Sequence, residues 1–190
     1  MNSLSISDKN WIPKEFSTEE INFLKTNFFL DEIVAKLLSI RKIKKEEIKF
    51  FLNPSIKNIL PNPYILKDMD KAVERAEKSI ISKEKIGIFG DYDVDGATST
   101  AILGKYFELL NIPFEIYIPD RKKEGFGPNK EAFLEFINLG VDLIFTVDCG
   151  TLSFEPISFA QKNNMDVIIL DHHQSEIKLP AAHSIVNPNR

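Results

Sequence analysis

The stretch "GIFGDYDVDGATST", residues 87–100, decides how the chain is read. A short apolar run ends in glycine, three aspartates follow at alternate positions (Asp91, Asp93 and Asp95), and Gly96 opens a segment of helical character. The run before Asp91 is too short for a helix and is bounded by charge and glycine, so it reads as a buried strand feeding a helix. Crowding three carboxylates into five residues sets up mutual repulsion, which a nearby positive charge must offset.

The same arrangement recurs downstream. "DLIFTVDCG" and "DVIILDHH" are again apolar runs that end in an acidic group, at Asp148 and Asp171, the latter followed by His172 and His173. Between these runs lie amphipathic helical patterns, "ATSTAILGKYFELL", "NKEAFLEFINLG" and "FEPISFAQKNN", with a further strand, "FEIYIP", after the first of them. "KDMDKAVERAEKSI" precedes the first strand, with Leu66, Met69, Val73, Ala76 and Ile80 along one helical face. Strict alternation of short apolar strands with helices predicts an α/β fold, a parallel sheet flanked by helices. Ligands of such sheets bind beyond the carboxyl ends of the strands, so the acidic strand ends are expected to converge on one edge.

Upstream, residues 1–65 read as a small helical segment and connector, and residues 66–190 as the α/β domain. Ser17 and Glu20 have capping-box spacing, Ile33, Val34, Leu37 and Leu38 form a helical stripe, and "KKEEIKFFLNP" adds a third short helix. "PSIKNILPNPYIL" is too rich in proline for regular structure and reads as the connector.

Composition sets limits on function. With 43% hydrophobic and 27% charged residues the chain is an ordinary globular sequence, and a net charge of -4 offers no global attraction to polyanions. Its N-terminus is polar and no stretch is apolar for long enough to span a membrane, so a cytoplasmic protein is expected. The single cysteine, Cys149, excludes an internal disulfide and a cysteine-rich zinc site. Surrounded by carboxylates it would make a poor thiolate, and it reads as a small turn residue.

Five carboxylates and two imidazoles in one small volume call for hard divalent cations, manganese or magnesium rather than zinc, and so many acidic groups suggest two ions. Paired ions are the common device for in-line attack on a phosphoester. A calcium-binding EF-hand loop shares the D-x-D-x-D-G opening, but it requires a glutamate where this chain has Ile102, and a helix where a strand precedes Asp91. Alone, "VDCG" reads equally well as a capped turn, and the histidine pair as an ordinary strand-end feature. Their joint occurrence at successive strand ends favours a metal centre.

"DYDVDG", "TVDCG" and "DHHQ", in this order, resemble the motifs of the DHH phosphoesterase superfamily. "FFLNP", "ILKDMDKAVERAEKSI", "PDRKKEGFGPN" and "IVNPN" are similar to segments of its bacterial branch of single-strand-specific 5′→3′ DNA exonucleases. The resemblance implies Asp93 and Asp95 as metal ligands, with Asp91 a weaker candidate, Asp148 bridging two ions and His172 binding one of them. It implies His173 facing the substrate phosphate or supporting the site, Asp171 orienting the histidines, and Arg121 near the scissile strand. Single-stranded DNA is the implied substrate, and DNA-repair and recombination proteins are the implied partners. Alternatives within the superfamily are a phosphodiesterase for oligonucleotides or cyclic dinucleotides and a pyrophosphatase; outside catalysis, a binding module. The family's fourth metal-binding motif is expected beyond the "VNPN" at which this sequence stops. The resemblance thus implies the N-terminal portion of such an enzyme, with weak metal binding and low or no activity of its own.

Overall fold

The computed structural model describes residues 7, 9, 11, 12 and 14–190, so the polar opening stretch lies partly outside the described residues. The chain divides into two compact units, Met1–Leu60 and Pro61–Arg190.

In the first unit, helices α1 (Thr18–Phe28), α2 (Glu32–Ile40), α3 (Ile48–Leu52) and α4 (Ile56–Ile59) follow one another. Ile21, Leu24, Ala35, Leu38 and Ile48 form its core. Ser17 caps α1 by accepting the Glu20 N–H at 3.2 Å. The Glu20 carboxylate does not close the capping box; it accepts from the Ser39 hydroxyl at 2.5 Å and so ties α1 to α2. The proline-rich connector holds more structure than its composition suggests. It contains α4 and a 3-10 turn over Pro63–Ile65, which Asn62 caps by accepting from Tyr64 N at 3.0 Å.

The second unit is a three-layer α/β/α sandwich. Strands β1 (Ile86–Gly90), β2 (Phe114–Tyr117), β3 (Leu143–Val147), β4 (Asp166–Leu170) and β5 (Ser184–Val186) form one sheet in the order β2-β1-β3-β4-β5, parallel throughout. The strand β5, three residues long, does not stand out in the sequence. Helices α5 (Met69–Ser82) and α6 (Val94–Leu109) cover one face, and α7 (Lys130–Asn138) and α8 (Phe154–Lys162) the other. Alternation along each strand fills both layers. On β3, Leu143, Phe145 and Val147 pack with Phe107 of α6, while Ile144 packs with Phe133 and Phe136 of α7. Burying both faces is what makes these strands read as unbroken apolar runs.

Helix α5 departs from its apolar stripe. Val73 is exposed and Arg75 is buried. The arginine is held by Asp166 Oδ2 at 2.6 Å and Glu84 Oε2 at 2.7 Å, ion pairs that a hydrophobic pattern does not reveal.

Strand order reverses between β1 and β3, where the chain leaves for β2 on one side and returns to β3 on the other. A crevice at the carboxyl ends of these strands is the expected ligand site of such a sheet. Register sharpens the point. Gly90 pairs with Val147, Val147 with Leu170, and Leu170 with Val186. The next residue on each strand is therefore Asp91, Asp148, Asp171 and Asn187, one row across four adjacent strands.

Candidate metal centre

Asp91 leaves the end of β1 almost fully buried, 2% exposed, and its Oδ1 has no hydrogen-bond partner. Burial raises its carboxyl above the ordinary value; the Tyr92 N–H and the charge of Arg121 oppose this without cancelling it. Two residues on, Asp93 caps α6, with Oδ1 accepting from Asp95 N at 2.9 Å and Gly96 N at 3.0 Å. The Gly96 N–H is the main reason its carboxyl lies below the ordinary value. Gly96 allows the tight turn: a Cβ there would stand 2.3 Å from the Asp91 carbonyl oxygen. The strand, the cap and the helix start are thus pressed together at one backbone contact.

Asp148 follows β3 in the left-handed region, φ 60°, a conformation aspartate tolerates better than most residues. Only 5% exposed, it has no partner on Oδ2. Burial raises its carboxyl, and the neighbouring Asp93 carboxylate adds to the effect. His172 Nε2 lies 2.9 Å from Asp148 Oδ1.

Asp171 is different, because its oxygens are saturated. Oδ1 accepts from the backbone N–H groups of His172 at 2.7 Å and His173 at 3.1 Å, and from His173 Nδ1 at 2.7 Å. Oδ2 accepts from Thr151 N at 3.0 Å. Burial pushes this carboxyl up, but the hydrogen bonds from Thr151 and His173 outweigh it and hold the group below its ordinary value. The same contact raises the His173 imidazole.

Among the described residues two groups of side chains can converge on a cation. Asp91, Asp93 and Asp148 form one, and Asp148, His172 and His173 the other, each with ligand atoms within 4.8 Å of one another. Asp148 belongs to both. Asp95, which the family resemblance ranks above Asp91, sits in the first turn of α6 and joins neither group. It lines a cleft of about 400 Å³ together with Asp148, Asp171 and His172, with Thr98 and Ser99 beside it. Arg121 lies beside the site with its guanidinium 5.3 Å from the Tyr92 ring centre.

Residues beyond the sequence expectations shape the surroundings. Glu124 organises the basic loop by accepting from Tyr117 Oη at 2.6 Å, Asp120 N at 2.7 Å and Asn129 Nδ2 at 2.9 Å. This loop sets Phe126 edge-on to His173, with ring centres 5.4 Å apart. Thr151, which supports Asp171, carried no signal in the sequence; "IVNPN" did, but as a family mark without a role.

Cys149 is fully buried with its thiol 3.3 Å from the Val147 carbonyl oxygen. Burial and then the charges of Asp171, Asp91 and Asp148 push the thiol well above its ordinary value. The folded protein is therefore expected to leave a thiol reagent unreacted at neutral pH, and stoichiometric labelling only after denaturation checks this.

Residues 85–190 match the family described as "DHH family, N-terminal domain". The chain is 35% identical over 185 residues to the single-stranded-DNA-specific exonuclease RecJ of Bacillus subtilis, a match covering 97% of this chain and 23% of that protein. It is 35% identical over 161 residues to RecJ of Escherichia coli, covering 84% of this chain and 27% of the relative. The chain thus spans about a quarter of the length of these curated relatives. Among solved structures, exonuclease RecJ bound to manganese aligns with a TM-score of 0.60 at 33% identity, covering 65% of this chain and 31% of that one. RecJ of Thermus thermophilus in complex with Mn2+ shares the fold at a TM-score of 0.68 and 24% identity, covering 90% of this chain and 24% of the other. Because the family match takes in all three acidic strand ends and the histidine pair, this chain belongs to the DHH family.

Proposed function

We propose that this chain carries a metal-binding segment of a RecJ-type nuclease that hydrolyses single-stranded DNA from the 5′ end, with low or no activity when this segment acts alone. The observation that carries the reading is the pair of ligand groups sharing Asp148, with two buried carboxylate oxygens, Asp91 Oδ1 and Asp148 Oδ2, left without partners. Buried unpaired carboxylates are costly, and a cation removes the cost. The donor set of oxygens and imidazoles suits manganese or magnesium, and the manganese-bound RecJ structure that is 33% identical to this chain supports this choice.

Asp91, Asp93 and Asp148 would hold one ion, and Asp148, His172 and His173 a second; Asp95, on the cleft wall, remains a candidate ligand from the first motif. Bound there, such ions supply the positive charge that polarises a phosphodiester and lowers the pKa of water. The protein's own contribution is orientation. Asp171 holds His173 through Nδ1, which leaves Nε2 for an ion or a substrate phosphate. Asp148, fixed by its own N–H to Leu170 O at 2.9 Å, stands between the two groups. Arg121 stands where a bidentate contact to a phosphate would offset the acidic surroundings. Contacts to phosphate and to base faces ignore sequence, which suits an exonuclease.

The test is release of mononucleotides from a 5′-phosphorylated single-stranded oligonucleotide, with Asp148→Ala as control. At most slow release, dependent on manganese and on Asp148, is expected. Release that survives EDTA or the Asp148→Ala change contradicts the reading. Faster hydrolysis of a cyclic dinucleotide or of pyrophosphate in the same panel would move the chain to another branch of the family.

A further inference from the structure

The row of strand ends has a fourth member. Asn187 follows β5 on the rung occupied by Asp91, Asp148 and Asp171, it is 1% exposed, and its side-chain amide donates into the loops after β3 and β4. Its Nδ2 donates to Thr151 Oγ1 at 2.9 Å and to the His173 carbonyl oxygen at 2.9 Å. Its Oδ1 accepts from Asn189 N at 2.8 Å, and the Asn189 amide in turn donates to the His172 carbonyl oxygen. Thr151 N–H reaches Asp171, which holds both histidine N–H groups and the His173 ring.

We infer that Asn187, with Asn189 as its extension, is a positioning residue that clamps the loop after β3 to the loop after β4 and thereby fixes the two imidazoles against Asp148. The inference rests on the metal-centre reading above. The physical ground is that both histidine carbonyls and the Thr151 hydroxyl accept from side-chain amides of this one segment, and Thr151 in turn holds Asp171. Without them residues 171–173 would lose every hydrogen bond to their carbonyls from the segment after β5, leaving the Asp171 contacts, the Asp171 N–H to Val186 O and the His172 contact with Asp148. Partners one step removed from a metal commonly govern affinity by 10–100-fold because they fix ligand orientation. An aspartate at position 187 would keep the acceptor for Asn189 N but set an oxygen against the His173 carbonyl oxygen, whereas an amide offers donors and an acceptor at once.

The experiment is a calorimetric titration of manganese into this chain, its Asn187→Asp and Asn189→Ala variants, and Asp148→Ala, with melting temperatures in EDTA recorded alongside. Asn187→Asp keeps the size and the acceptor but loses both donors. Its added charge alone would tighten cation binding, whereas the clamp predicts affinity weakened by about tenfold. Asn189 is exposed, so its alanine variant folds, and it is expected to weaken binding in the same direction; should Asn187→Asp not fold, Asn189→Ala decides alone. A role confined to holding β5 would lower the melting temperature and leave affinity, measured well below it, at the wild-type value; that result overturns the inference and leaves the metal centre standing. If the unaltered chain binds no more manganese than Asp148→Ala, the metal centre falls and the inference falls with it.

Discussion

Asp148→Asn is expected to weaken manganese binding by at least about a hundredfold, since it strips a ligand from both groups at once. In EDTA the same change is expected to raise the melting temperature by about 3 °C, the size of shift that about 1 kcal/mol produces in a chain of this length. The opposed signs follow from the state of the carboxyl. Asp148 is buried, lacks a partner on Oδ2 and is held above its ordinary value by burial and by Asp93. A carboxyl raised in the native state favours folding below its unfolded value, and that contribution is lost as pH rises through the native value. At neutral pH the ionised group therefore counts against the metal-free fold. Asparagine removes the charge, accepts the left-handed backbone at φ 60° and offers an amide to the neighbouring carboxylates. Such an exchange of stability for function is common at active sites. Calorimetric titration and melting curves check both halves; a lower melting temperature, or affinity that survives, contradicts the account.

The second large effect is expected at Gly96. An alanine Cβ would lie 2.3 Å from Asp91 O and 2.6 Å from Asp91 C and N, all backbone atoms at the end of a buried strand. No side chain can rotate away to relieve the overlap, so either α6 or the Asp91 turn must move. Overpacking of this kind costs on the order of 3 kcal/mol, or about 10 °C in melting temperature. Manganese affinity should fall as well, because Asp91 and the Asp93 cap flank the contact. Gly104→Ala, in the same helix, is the informative control. Its Cβ would meet the edge of the Phe114 ring at 3.3 Å, a neighbour that can yield by a few tenths of an ångström. The gain in helix propensity of up to about 1 kcal/mol offsets that adjustment, so a near-neutral change is expected. Equal losses at the two glycines would show that helix packing in general, rather than the strand-to-helix turn at the site, is what Gly96 protects.

The parallel sheet was legible because both faces of its strands are buried, which leaves short apolar runs that stop abruptly at aspartate. The convergence of Asp91, Asp148 and Asp171 followed from the same feature, since parallel strands share a direction and their carboxyl ends meet at one edge. Where the reading stopped short, the reasons are equally physical. Strand β5 spans only Ser184–Val186, too short to show a period, so the place of Asn187 in the row stayed hidden. Asp91 and Asp95 are alike in sequence, and only the onset of α6 at Val94 separates them: the first is buried under the strand end, the second carried onto an exposed helical turn. The burial of Arg75 carried no signal in the sequence, because the two acidic partners that permit it, Glu84 and Asp166, lie outside its helix. Glu20 bonds Ser39 rather than closing its own capping box, a choice made by the packing of α1 on α2.

The measurement that tests the central claim most directly is diffraction at the manganese absorption edge from crystals of this chain grown with manganese. An anomalous peak in contact with Asp148, shared with Asp91 and Asp93 on one side or with the histidine pair on the other, is the predicted result. Manganese bound only away from Asp148, or none bound at all at millimolar concentration, would contradict the assignment of these strand ends as a metal centre.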